Sequence, residues 1–160
     1  YMGLLKKSFR NWSGAESETK RTYIRNLLIN AAQSQITTDD VIRLFIDWID
    51  AYSEGHFKVL AEIYKHPEGI TGYTLLKNLN GEKHREDPFE ADLFKLIIHD
   101  LTVGRVIRQY RETDENGNFL KQTYKAYSSE TLTSAFDNLK PYVLTELGKV
   151  FMNYIVKLNA

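Results

Sequence analysis

Eight lysine and arginine side chains in the central and later part of the chain could bind phosphate oxygens. They occur in a polar loop, on a helix and along a hairpin that we predict from the apolar pattern. Cations that contact successive phosphates supply most of the affinity of nucleic-acid-binding proteins, so this group defines a candidate DNA-contacting surface. The eight candidates are Lys83, Arg85, Lys95, Arg105, Arg108, Arg111, Lys121 and Lys125.

The neighbouring charges weaken this surface. Alternation along a strand would place Arg105 and Arg111 on one face and Arg108 on the other. The exposed side of the preceding helix would carry three acids against one lysine, and carboxylates are repelled by phosphates. Those exposed positions are Glu90, Asp92, Lys95, His99 and Asp100. A solvated hairpin whose charges prevent edge-to-edge aggregation is therefore an equally good interpretation.

Residues that could perform catalysis or bind a metal do not form a motif. The four histidines fall in different predicted elements without ligand spacing, and the sequence has neither a glycine-rich phosphate loop nor a nucleophile elbow. We therefore expect no catalytic site, metal, cofactor or small-molecule ligand. The histidines are His56, His66, His84 and His99.

Composition is that of a soluble globular protein. Among the 160 residues, 21 are Lys or Arg and 21 are Asp or Glu, so any attraction to nucleic acid or membrane must come from a local patch. The chain lacks cysteine, which excludes disulfides and thiolate metal sites. No apolar run is long enough to cross a membrane, and we expect a cytoplasmic location.

The apolar periodicity predicts a mainly helical chain with one hairpin. Residues 1–15 form a short amphipathic helix or arm docked on the domain, with a membrane or nucleic-acid anchor as the less favoured alternative. Further helices are expected over 18–34, from 37 to 52, and over 56–65, 73–79 and 89–101. Strands at 105–111 and 119–125 flank a turn at 114–118. A short inserted helix within 128–140, a strand at 141–144 and a final helix complete the chain.

Two burial patterns can be tested. The helix over 89–101 should bury one stripe, with Phe94 and Ile98 forming a second apolar flank. That stripe is Phe89, Leu93, Leu96, Ile97 and Leu101. Near the start of the helix over 18–34, we expect Lys20, Arg21 and Arg25 to form a solvated face.

Helices followed by a hairpin, and then by Leu144-Thr145 and Gly148 at the start of an apolar helix, resemble a winged helix-turn-helix domain. The resemblance implies a mainly α fold with a small wing (α+β), residues 1–54 as a helical extension and residues 55–160 as the winged-helix domain. It also implies a third helix that enters the major groove and a wing that contacts the DNA backbone.

The stretch from Arg25 to Tyr64 is similar to part of uncharacterised bacterial proteins related to the abortive-infection Abi-alpha family. The similarity lies in two apolar helices and the segment around His56. It implies a bacterial or phage-defence setting and assigns no catalytic residues.

These patterns favour a non-enzymatic binding domain. DNA binding with a regulatory role follows from the winged-helix resemblance by analogy. The alternative is a protein-interaction domain, for docking or for dimerisation, because winged helices serve both purposes. The sequence leaves this choice open.

Overall fold

The structure is a computed structural model that describes residues 2–15, 17–34, 37–81, 87–111, 114–116, 118, 120 and 140–156. Within these ranges the fold is mainly helical with a small antiparallel sheet, which confirms the predicted α+β class at that level. None of the described helices is long and apolar enough to cross a membrane. The elements are α1 (Met2–Ser13), α2 (Glu18–Gln33), α3 (Asp39–Ala51), α4 (Glu54–Tyr64), α5 (Gly72–Asn80), α6 (Pro88–Val103), β1 (Ile107–Gln109), β2 (Tyr142–Leu144) and α7 (Glu146–Val156).

The chain divides into two compact units, which we describe separately. The first, called the helical unit, comprises Tyr1–Phe57 and Glu146–Ala160. The second, called the mixed unit, is Lys58–Thr145. The division falls inside α4 and again before α7. The domain boundary after residue 54 that the sequence suggested stays a prediction.

The core of the helical unit is aromatic. Phe45 and Trp48 on α3 lie with their ring centroids 5.4 Å apart, and each is 5.1 Å from Phe151 on α7. Ile42, Ile46 and Ile49 complete the buried face of α3. Such interleaved rings contribute more than their buried area alone, since edge and offset contacts are favourable.

Local chemistry explains where several helices begin. Ser17 accepts a hydrogen bond from the Lys20 amide at 3.2 Å, and Thr71 accepts one from the Thr74 amide at 3.2 Å. These N-caps occupy amide donors that the first helical turn leaves without partners. The predicted starts of α2 and α5 are confirmed.

Polar side chains of α2 donate hydrogen bonds to backbone carbonyls near the carboxyl ends of α3 and α7. Asn26 and Asn30 donate side-chain amide hydrogens to the carbonyls of Ile155 and Tyr154, each at 2.8 Å. Lys20 is only 7% exposed, and its ammonium donates to the Asp50 carbonyl at 3.1 Å. Carbonyls in the last helical turn lack intrahelical donors, which is why a buried cation is stable there. The expectation of a solvated Lys20 is wrong.

The sheet of the mixed unit joins three places in the sequence. β1 pairs with β2 in antiparallel register, with Arg108 opposite Val143. On the other side of β2, Ile70 and Tyr142 exchange backbone hydrogen bonds at 3.1 and 2.8 Å. The spatial order is therefore Ile70, β2, β1. The predicted strand at 141–144 is confirmed as β2, whereas the predicted return strand at 119–125 lies outside the described residues except for Leu120.

Candidate functional site

Helix α6 and the segment that leaves it form the most distinctive surface of the mixed unit. The Asp87 carboxylate caps α6 by accepting from the Phe89 amide at 2.9 Å, and Pro88 occupies the first turn, where its missing N–H costs nothing. The helix ends when the Gly104 amide donates to the Asp100 carbonyl and the Val106 amide donates to the Leu101 carbonyl. This start agrees with the prediction, and the helix extends to Val103.

The buried face of α6 differs from the predicted one. Leu101 and Ile97 are buried as expected, but the rest of the buried set is Ala91, Phe94 and Ile98. Phe94 and Ile98 were assigned to a second flank, and they instead belong to the core. A helix that is apolar on more than one side has no single orientation dictated by its own pattern.

Three residues that were predicted to be buried form, together with Val103, an exposed stripe along α6. We call Phe89, Leu93, Leu96 and Val103 the α6 apolar stripe. Phe89 is 73% exposed and Val103 is 67% exposed, with Leu93 and Leu96 near one half. Because they recur every three, four or seven residues, they share one side of the helix. Large apolar side chains that are exposed together on one side of a helix are characteristic of binding sites.

Acidic residues accompany this stripe. Asp87 and Asp92 are exposed, and Glu90 and Asp100 are half-buried. Lys95 is the one lysine within α6, and His99 is exposed beside it. The α6 surface is therefore both apolar and acidic. The sequence predicted its acidic character but not the exposure of its apolar residues.

Four of the eight candidate phosphate contacts lie in described segments. Lys95 is exposed on α6, and Arg105, Arg108 and Arg111 lie before, within and after β1. Arg105 and Arg111 are exposed. Arg108 is half-buried, and its guanidinium donates to the Gln109 carbonyl at 3.3 Å. Lys83, Arg85, Lys121 and Lys125 lie outside the described residues.

Arg105 adopts an unusual backbone conformation. Its φ of 62° is left-handed, a region that glycine normally occupies at the end of a helix. The Thr145 hydroxyl donates to the Arg105 carbonyl at 2.6 Å, and the Thr145 amide donates to the Val106 carbonyl at 3.0 Å. These bonds hold the strained residue, and its side chain remains in solvent.

The predicted turn at 114–118 is present around Asp114. Its Oδ1 accepts hydrogen bonds from the amides of Asn116 and Asn118, both at 2.9 Å. The Asn118 amide and side chain, followed by the Asn116 amide, lower the pKa of the Asp114 carboxyl because they stabilise its charged form. The described part of the turn is thus organised by an aspartate side chain, a common device in turns.

One pair of side chains has the distance required for nucleophile activation. The Ser53 hydroxyl lies 2.7 Å from His56 Nδ1. The Ser53 backbone amide also donates to that nitrogen at 3.2 Å, and the Phe57 amide donates to the Ser53 carbonyl. The bond from the Ser53 amide to the His56 side chain is one half of a capping box at the start of α4, a structural role that accounts for the pair without catalysis.

In the part of the chain that the structure describes, no group of three or more His, Asp or Glu residues is arranged to bind a metal ion. Comparison of the chain with protein-family models, with curated proteins and with solved structures finds no match.

Proposed function

We propose that the mixed unit is a winged-helix domain that binds a helical segment of another protein along the α6 apolar stripe. The observation that carries the proposal is the exposure of four large apolar side chains on one side of α6. Water around such a surface is released when a partner covers it, which supplies a favourable free energy.

The order of elements supports the winged-helix assignment. Helices α4, α5 and α6 are followed by the antiparallel partners β1 and β2. Ile70 lies between α4 and α5 and adds a bridge to the free side of β2. This arrangement agrees with three helices, a short first strand and a wing.

The charges beside the stripe indicate the chemistry of the partner. Asp87, Glu90, Asp92 and Asp100 outnumber Lys95, so a partner with lysine or arginine beside its own apolar residues is electrostatically complementary. A helix with apolar residues at every third or fourth position matches the spacing of the stripe. We therefore assign the partner as a basic amphipathic helix.

The expected affinity is moderate. Fully covering a leucine or phenylalanine is worth about 1.5–3 kcal/mol, and these side chains are partly covered already. Ordering of both surfaces offsets much of this gain, so we expect a dissociation constant on the order of micromolar.

Binding of designed peptides tests the proposal. A labelled amphipathic peptide with leucine on one face and lysine on the flanks should bind the full chain in a fluorescence anisotropy titration. The same peptide with glutamate on the flanks should bind at least about tenfold more weakly, since like charges meet. Equal binding of the two peptides would overturn the assigned chemistry.

Two substitutions locate the site. Leu96→Ser removes an apolar side chain from the stripe without changing its charge and should weaken binding of the basic peptide by about tenfold. Leu44→Ser makes the same change at another exposed leucine, on α3, and should leave binding intact. Equal losses in both variants would show that the stripe is not the binding surface.

DNA binding is the second candidate, and one observation favours it. Arg105 and Arg111 are exposed before and after β1, and Arg105 is kept in a strained conformation. Strain of this kind is concentrated at functional positions. A duplex-DNA titration at increasing salt should show an affinity that falls with salt and is lost in Arg105→Glu/Arg111→Glu. Salt-independent or absent binding would exclude this alternative.

A further inference from the structure

Helix α1 covers part of the helical unit with one face only. Leu4 and Ser8 are buried, and the Ser8 hydroxyl donates to the Leu4 carbonyl at 2.8 Å. α1 contacts α2 and α3. The docked helix expected from the sequence is therefore present. Its opposite face carries exposed side chains that need a separate explanation.

The outer face of α1 carries protruding apolar side chains. Phe9 is 70% exposed and Met2 is 67% exposed, and Trp12 is also exposed. Leu5 is half-buried, and together these four residues recur at helical spacing on one side. The Phe9 and Trp12 rings stack with centroids 6.3 Å apart.

Positive charge lies beside these side chains. Lys6 and Arg10 are exposed, and no ion pair or hydrogen bond engages either cationic group within the described residues. α1 contains no acidic residue. The neighbouring helices α2 and α3 carry five acids, of which Asp47 pairs with Lys7 and Glu18 pairs with Arg21.

Trp12 is held in position by that second pair. The Arg21 guanidinium lies 5.7 Å from the centre of the Trp12 ring, a cation–π distance, and it bonds the Glu18 carboxylate at 2.6 Å. An open depression of about 560 Å³ adjoins the face. It is lined by Leu5, Lys6, Phe9, Arg10 and Ser13.

We propose that this outer face of α1 binds an anionic lipid surface. Phenylalanine and tryptophan on one side of a helix, flanked by exposed lysine and arginine, match the boundary between lipid headgroups and acyl chains. The cations complement anionic headgroups, whose attraction is local and independent of the zero net charge of the chain. The apolar side chains of this face are large and exposed, which favours insertion into lipid over contact with nucleic-acid phosphates.

Vesicle binding of the full chain tests the proposal. The chain should co-sediment with vesicles of phosphatidylcholine mixed with phosphatidylglycerol, and at least about tenfold less with vesicles of phosphatidylcholine alone. Equal co-sedimentation with both, or with neither, would overturn it.

The two tryptophans provide an internal probe. Trp12 is exposed, whereas Trp48 is buried in the aromatic core. Mixed vesicles should shift the tryptophan emission to shorter wavelength, and Trp12→Phe should remove the shift. A shift that persists in Trp12→Phe would place the change in the core and contradict insertion of α1.

Variants can separate the contribution of the cations from that of the apolar side chains. Lys6→Glu/Arg10→Glu should lower the vesicle partition coefficient by about tenfold or more, and Phe9→Ser by several-fold. A matched control is Tyr73→Ser/Lys77→Glu, which changes an exposed aromatic and an exposed cation on α5 and should have no effect. Stronger binding to polyglutamate or to duplex DNA than to mixed vesicles would reject lipid as the occupant.

Discussion

The exposed faces of α1 and α6 share one property and differ in another. Both helices present large apolar side chains to solvent, led by Phe9 and Phe89. α1 surrounds them with Lys6 and Arg10, whereas α6 surrounds them mainly with carboxylates such as Asp92. A chain with zero net charge can thus carry two binding surfaces of opposite sign, which composition alone conceals.

The opposite charges imply different partners. A basic apolar helix suits an anionic surface, and an acidic apolar helix suits a basic polypeptide. Because both surfaces also offer apolar area, each interaction should keep part of its affinity at high salt, when exposed charges are screened.

The largest expected effect concerns the orientation of α6, which determines whether its apolar stripe is exposed. Phe94→Ala should lower the free energy of unfolding by about 3–5 kcal/mol, since it empties a packed core position. Leu93→Ala, one residue earlier on the exposed side, should cost less than about 1 kcal/mol. Urea unfolding followed by circular dichroism measures both. Similar losses for the two variants would mean that the stripe is covered.

The next effect separates the two faces. Leu96→Ser should weaken binding of the basic peptide by about tenfold and leave vesicle co-sedimentation unchanged. Lys6→Glu/Arg10→Glu should reduce co-sedimentation by about tenfold or more and leave peptide binding unchanged, since each charge acts locally. Anisotropy and sedimentation on the same preparations provide the comparison. Either variant affecting both partners would indicate one shared surface.

A smaller effect concerns the end of α6. Arg105→Gly should stabilise the chain by about 1 kcal/mol, because glycine adopts a positive φ without the steric cost that arginine bears. Chemical denaturation against the parent chain measures the gain. Arg105→Ala retains the strain and serves as the control, so an equal gain in Arg105→Ala would attribute the effect to lost charge.

The smallest expected effect concerns the pH dependence of the turn at Asp114, which lies outside both faces. The lowered pKa of Asp114 means that its hydrogen bonds stabilise the turn fully above the unfolded-state value of 3.8. That contribution is lost as the pH falls through the lower folded-state pKa. The NMR amide shifts of Asn116 and Asn118 should move in that window, and Asp114→Asn should remove the movement. Unchanged shifts in the parent chain would contradict the assigned hydrogen bonds.

Much of the local structure could be predicted because it depends on neighbouring residues. Ser17, Thr71 and Asp87 mark helix starts through side-chain oxygens that accept nearby amide hydrogens. The turn at Asp114 has the same local origin. The exposed face of α6 could not be predicted in the same way. One signal was present, because the apolar residues of α6 occupy more of its circumference than one core-facing side needs.

The eight basic candidates show a related limit. Alternation along β1 was expected to separate Arg108 from Arg105 and Arg111, but Arg105 lies before β1 with a left-handed backbone, and Arg108 and Gln109 are both half-buried. The left-handed backbone at Arg105 had no sequence signal, since Gly104 immediately before it was the natural choice for that role. Whether these arginines bind DNA stays a prediction.

By itself, the sequence determined where most helices begin, the neutral total charge and the acidic character of α6, because these depend on residue types and short-range hydrogen bonds. The tertiary structure decided that Lys20 is buried against the Asp50 carbonyl and that Phe94 and Ile98 enter the core in place of Phe89 and Leu93. It also left Phe9 and Trp12 outside. The physical reason is that burial depends on which surfaces meet, and an amphipathic pattern with two apolar sides permits more than one answer.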